Sequence, residues 1–129
     1  MLESDPFFLS HQKSAELISE LSSGERSPPF VEGLVTHFIF HFIEEDQLMK
    51  RVGYPDQGAH SEAHIGLKEQ ILRMAPRALS GIISEEDVDL FKDQALHHIK
   101  THDQYLITYL SRHHKHLLDE LINENHPTD

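Results

Sequence analysis

Residues 30–52 read FVEGLVTHFIFHFIEEDQLMKRV, with apolar side chains at Val31, Leu34, Phe38, Leu48 and Val52. The gaps between stripe positions alternate between three and four residues, the period of one face of an α-helix. His41 and Glu45 complete the same line, so an imidazole and a carboxylate stand where the pattern puts the core. Glu44, next door, points off it. An ionised carboxylate in a core is costly unless it is paired or bound to a metal. This stretch therefore predicts a helix whose inner face must meet a cation.

The same pattern extends in both directions. Residues 8–23 place Phe8, His11, Ala15, Ile18 and Leu21 on a helical stripe that ends before Gly24. Pro28 and Pro29 then suit the entry to the next helix. After the breaker GYPDQG at 53–58, residues 59–79 carry His60, His64, Leu67, Ile71, Met74 and Ala78 on one face. Pro76 inside that pattern predicts a kink or an early end. Ser84 and Asp87 resemble a capping box. From about residue 85 no Gly or Pro interrupts the chain until Pro127. There Phe91, Ala95, His98 and His102 form one line and Ile99, Asp103, Leu106 and Leu110 the next, both on one wide inward face. No sustained two-residue period signals a strand. Four helical stretches with short links predict an all-α, up-down-up-down four-helix bundle with an extended last helix. The chain reads as a single domain over 1–129, with its core at about 8–110. Residues 111–129 read as a helix extension and polar tail.

Composition narrows the function. The chain has 129 residues, one domain's worth, and 11 Lys plus Arg against 22 Asp plus Glu, a net charge of -11. Nucleic acid and anionic membrane are polyanions, so neither is an expected partner. No apolar run spans a bilayer and no secretory leader opens the sequence, so a cytoplasmic location is expected. Absence of cysteine excludes disulfides, thiolate zinc sites, iron–sulfur ligation and thiol catalysis. The unusual number is 12 His. Five of them (His11, His41, His60, His64 and His98) join Glu45 and Asp103 on inward stripes. Without a metal such a core would have several polar groups to satisfy. Facing helices of a bundle build metal sites in this way. Imidazole-rich ligation without thiolates suits iron, zinc, copper or nickel. Seven ligands exceed the need of one tetrahedral zinc, and two carboxylates among five imidazoles suggest two bridged ions. Glu-x-x-His and HExxH are both missing, which disfavours the carboxylate-rich di-iron bundles and excludes the zinc-protease helix.

The segments HQKSAELISEL, HFIEEDQLM followed by YPDQGAHSEAH, and HHIKTHDQYL resemble the hemerythrin family, specifically its bacterial hemerythrin-like domains. The family pattern is a lone His in the first helix, HxxxE in the second, HxxxH in the third and HxxxxD in the fourth. It falls on His11, His41 and Glu45, His60 and His64, and His98 and Asp103, and the resemblance covers about residues 8–110. It implies two iron ions as cofactor and dioxygen as ligand. His60, His64 and His98 would hold one iron, and His11 and His41 the other. Glu45 and Asp103 would bridge them beside an oxo or hydroxo group, with an open position for dioxygen on the second iron.

Departures from the family pattern shape the rest of the expectation. Many family members carry Trp-Leu where this chain has Gln94 and Ala95. With Phe42 and Ile99 these would line the oxygen pocket, and a polar and a small residue there would admit water. His37 and His102, one turn from His41 and His98, are either partners behind the ligands or residues at the bundle edge. The run His113, His114 and His116 reads as a solvated face. Ile107, Leu110, His114, Leu117 and Leu121 fit a heptad seam. The segment 111–124 is thus expected to dock on the bundle or to project toward a linked output domain or a second copy. The function expected is oxygen or redox sensing without enzymatic turnover. Oxygen carriage or storage is the alternative, and a di-iron enzyme acting on peroxide or nitric oxide is the reading from another class.

Overall fold

Prolines 28 and 29 occupy the first positions of the longest helix, where a missing N–H costs nothing. In the computed structural model, which describes residues 6–125, that helix is α2, Pro28–Val52. It is preceded by α1, Phe8–Ser22, and followed by α3, Gln57–Leu79, and α4, Glu85–His98. A π-helical segment, Ile99–Asp103, joins α4 to α5, Gln104–His113, and α6, Lys115–Asn125, closes the described chain. Every regular element among the described residues is helical, and no helix there is long and apolar enough to cross a membrane. The polar tail at 126–129 and the Phe8 side chain lie outside the described residues.

Local signals account for most of the boundaries. Gly53 takes a left-handed conformation (φ 63°, ψ 43°) that ends α2, and the Tyr54 N–H reaches back to the Met49 carbonyl at 2.9 Å. At the start of α4 the Asp87 N–H donates to Ser84 Oγ at 3.1 Å. The Ser84 N–H donates back to the Asp87 carboxylate at 3.4 Å, so the capping box is formed. Of the two outcomes expected at Pro76, an early end does not occur; α3 runs on to Leu79. Pro76 is exposed, so the carbonyl one turn earlier that loses its partner lies on the side where water replaces it.

The helices stack their buried side chains in layers. One apolar layer holds Leu17, Ile18 and Leu21 of α1, Leu34, Phe38 and Phe42 of α2, Leu67, Ile71 and Met74 of α3, and Val88, Phe91 and Ala95 of α4. A second holds Leu48, Met49, Tyr54, Leu106, Leu110 and Leu118. On α2 and along the chain from 85, the buried polar residues fall between these layers. Full burial of one such apolar side chain is worth about 1.5–3 kcal/mol, so two layers offset the cost of a polar one between them.

Two expectations need correction. On α1, Ala15 is exposed and the inward positions are His11, Ser14, Leu17, Ile18 and Leu21. Ser14 tolerates burial because its hydroxyl donates to the Ser10 carbonyl at 3.0 Å. The stretch from 85 is not one continuous, extended helix. It widens into the π segment and then breaks at His114 (φ -141°, ψ 44°), which is not helical. Helix α6 packs back against α5 and α1, burying Leu118, with Leu117, Leu121 and Ile122 half-buried on the second apolar layer. The heptad-like seam is thus covered from within the chain. A straight helix of about 40 residues would run some 60 Å and strand those side chains in water.

Candidate metal centre

Four helices and the π segment deliver the polar layer. His41 and Glu45 lie four apart on α2, and His60 and His64 four apart on α3, so each pair shares a helix face. His11 comes from α1 and His98 ends α4. Asp103 follows His98 by five residues, a spacing that a regular α-helix turns to a different side. The π segment, with its wider turn of i→i+5 bonds, returns Asp103 to the face of His98. All seven side chains are buried, Glu45 at 0% and Asp103 at 2% exposure.

Their ligand atoms form two overlapping sets, each with its atoms within 4.8 Å of one another. Glu45, Asp103, His60, His64 and His98 make one set; Glu45, Asp103, His11 and His41 make the other. The carboxylates divide their oxygens between the two. Glu45 Oε1 lies 2.8 Å from His64 Nε2 and 3.2 Å from His60 Nε2. Its Oε2 lies 3.1 Å from His11 Nε2 and 3.2 Å from His41 Nε2. Asp103 Oδ1 lies 3.0 Å from His60 Nε2 and 3.1 Å from His98 Nε2, and its Oδ2 lies 3.0 Å from His11 Nε2.

Glu45 is hydrogen-bonded within the cluster, to His11, His60 and His64, but the Asp103 side is not satisfied in this way. His98 Nε2 and both Asp103 oxygens are buried at ion-pair distance, yet none is aligned for a hydrogen bond. A cation held in common satisfies such atoms, and imidazole and carboxylate donors without thiolate suit iron, zinc, copper or nickel. Electrostatics agree. Burial pushes Glu45 up, but the charge of His41 and the imidazoles of His11 and His60 outweigh it and hold the carboxyl well below its usual range. Burial and the charge of Glu45 push Asp103 up, and the nearby His11, His60 and His98 bring it below normal. Burial lowers His60 and His98, while Asp103 and Glu45 more than reverse this, His98 reaching about 9. The two carboxylates thus draw positive charge to the layer, and protons and a metal compete for the same lone pairs.

No family model matches the chain, and no solved structure matches it. Among curated proteins it is similar to myohemerythrin from Theromyzon tessulatum, 28% identical over 86 residues, which is 67% of this chain and 68% of the relative. The buried His, Glu and Asp cluster fits a hemerythrin-type site.

Around the hemerythrin-like cluster, His37 and His102 belong to neither set. His37 stacks parallel to His41 with ring centroids 6.1 Å apart, and its Nε2–H donates to Ser14 Oγ at 2.8 Å. Burial and the charge of His41 lower its pKa to about 4. His102 is half-buried, stacked 5.2 Å from His98, and burial, then His98 and His60, lower it. Gln94 is exposed and lines a cleft of 240 Å³ with Ala63, Gly66, Leu67, His97, His98 and His102. That cleft reaches the three-histidine set at His98 alone. Ala95 sits instead in the first apolar layer, Ile99 is half-buried, and Phe42 stacks on His64 with centroids 4.5 Å apart at 21°.

Sequence reasoning missed three neighbours. Phe7 packs edge-on against His11 at 6.1 Å and His41 at 5.8 Å, covering the two-histidine set. Tyr54 stands edge-on to His60 at 6.4 Å. Asp46 accepts a hydrogen bond from His64 Nδ1 at 2.9 Å. Phe7 precedes the first helical stripe and Asp46 lies off the second, so periodicity passes over both. Tyr54 lies in the GYPDQG breaker, where no period applies.

Proposed function

We propose that this chain is a non-haem di-iron protein that binds dioxygen, its first four helices running up-down-up-down around the centre. One observation carries the reading: two ligand sets, with three and two imidazoles, share Glu45 and Asp103, each carboxylate giving one oxygen to each set. His60, His64 and His98 would hold one iron, His11 and His41 the other, with both carboxylates bridging. When bound, the iron pair supplies reversible redox chemistry toward dioxygen. The similarity to a myohemerythrin supports this reading.

The protein's own part follows from its layers. Glu45 and Asp103 bring two negative charges that offset part of the metal charge without water. The apolar layers above and below limit solvent and proton supply from the bundle ends, while the cleft beside Gln94 leaves an approach at His98. The two-histidine set has one imidazole fewer, which leaves it the half with room for an exogenous ligand. Phe7 covers that half with an apolar ring. The reading is of binding rather than turnover. The expectation of sensing drew on the Gln94 and Ala95 pocket changes and on a long last helix; α6 packs back and Ala95 lies in an apolar layer, so the proposal is confined to oxygen binding.

Metal analysis and visible absorption test it. Two irons per chain and near-ultraviolet charge-transfer absorption in the air-oxidised protein are expected. One zinc and no iron after iron-replete expression would overturn it. Multiple turnovers with peroxide and an electron donor would favour the enzyme instead.

A further inference from the structure

The buried imidazoles of the centre are not held alike. His64 uses both nitrogens: Nε2 faces Glu45 Oε1 at 2.8 Å, and Nδ1–H donates to Asp46 Oδ1 at 2.9 Å. The same Asp46 oxygen accepts from the Ser61 hydroxyl at 2.9 Å. By contrast, Nδ1 of His41, His60 and His98 is buried with no hydrogen-bond partner among the described residues. Phe42, stacked on the His64 ring, fixes its plane. His64 is therefore held by a carboxylate at one edge and an aromatic ring on one face. Asp46 itself stands at the rim of a groove of 160 Å³ between α2 and α3, its side chain 39% exposed.

A carboxylate behind an imidazole does two things. It fixes the proton on the outer nitrogen, leaving the inner lone pair aimed at the metal, and it makes that lone pair a stronger donor. We propose that Asp46, steadied by Ser61, is the positioning residue for His64, and that it makes the three-histidine half the tighter-binding and more readily oxidised half of the centre. This rests on the di-iron reading for its second half only, since His64 would serve a single ion in the same way. The adjacency of Asp46 to Glu45 gives α2 two carboxylates with different duties: Glu45 faces the ligand atoms and Asp46 faces the back of one ligand.

The test uses the full chain, Asp46→Ala, Asp46→Asn and Ser61→Ala. Ferrous ion is titrated anaerobically against a competing chelator, and the reduction potential and the metal-free melting temperature are measured. Asp46→Ala should weaken one metal equivalent about 10–100-fold and leave the other unchanged. Asp46→Asn keeps an acceptor but loses the charge, so it should lose less affinity yet move the potential in the positive direction. Ser61→Ala should change both in the same sense by less. Wild-type affinity and potential in Asp46→Ala would overturn the proposal. So would a fall in metal-free melting temperature with no selective loss of one equivalent, which would mean that Asp46 merely joins α2 to α3. A wild-type chain that binds one ion would sink the di-iron reading alone; Asp46→Ala must still weaken that ion for the positioning role to stand.

Discussion

Helix α2 and the chain from residue 85 onward both carry a histidine and a carboxylate into the centre, but by different geometry. On α2 the pair is four apart and the helix is regular from Pro28 to Val52. From residue 85 the pair is five apart, the helix widens at Ile99–Asp103, and it breaks again at His114. Regular periodicity suffices where ligand spacing matches the helix. Where it does not, the backbone yields, because a buried carboxylate turned away from its partners would cost more than a few altered helical hydrogen bonds.

Removal of the shared carboxylates tests both geometries at once. Glu45→Ala and Asp103→Ala should each lose at least one iron per chain, because each takes a ligand from both sets, while Glu44→Ala, at an exposed position, should keep both. Equal iron loss in all three would mean the stripe assignment is wrong. Chelating the iron should lower the melting temperature, since binding free energy is folding free energy; identical melts of the metal-bound and metal-free forms would count against a metal-organised core.

Packing of α6 supplies a middle-sized effect. Leu118 is 2% exposed against the second apolar layer, so Leu118→Ala should destabilise the fold by about 2–5 kcal/mol without changing iron stoichiometry. Denaturant unfolding checks it, and a loss within a few tenths of a kcal/mol would show α6 to be loosely attached.

The metal-free chain should also show a pH dependence that iron removes. The folded-state pKa of His98, at about 9, is raised above its ordinary value of 6.5. Its contribution is therefore fully present below about pH 6.5 and is lost as pH rises toward 9. Glu45 is depressed, so its contribution is present above the ordinary carboxylate range and lost as acid reaches the lowered value. Melting temperatures of the metal-free form should fall between pH 6.5 and 9, and those of the iron-bound form should not, because metal replaces the protons. A flat profile in the metal-free form would count against this charge pairing.

The all-helical class and the clustering of the seven residues were legible because buried polar side chains at helical spacing stand out against apolar neighbours. Leu67, Ile71, Met74 and Ala78 fell where the period put them. The π segment was not legible, since no Gly or Pro marks it and Lys100, Thr101 and His102 suit an ordinary helix. Nor was the break at His114, which is favoured by burial of Leu118 in a distant layer rather than by anything local. Ala15 was misread because both Ala15 and Ser14 keep helical spacing from His11 and only packing selects Ser14. Asp46 acts through an edge of His64 that no period describes.

The smallest expected effect tests the π segment most directly. A π turn holds one residue more than an α turn, so removing an exposed residue there should let the helix close to regular geometry. Lys100 is exposed and lies between His98 and Asp103. Its deletion would bring the two ligands to a spacing of four, as in α2, and keep Leu106 and Leu110 on the second layer. If the extra residue is what aligns Asp103, the deletion variant should retain both irons and melt within a few degrees of the parent. Were the segment instead regular, the same deletion would swing Asp103 and everything after it by about a quarter turn, given 3.6 residues per turn, and both iron and fold would be lost. Inserting an alanine after Lys100 serves as the opposite control: it adds a residue that the π turn has no room for, and it should cost iron whichever residue is chosen.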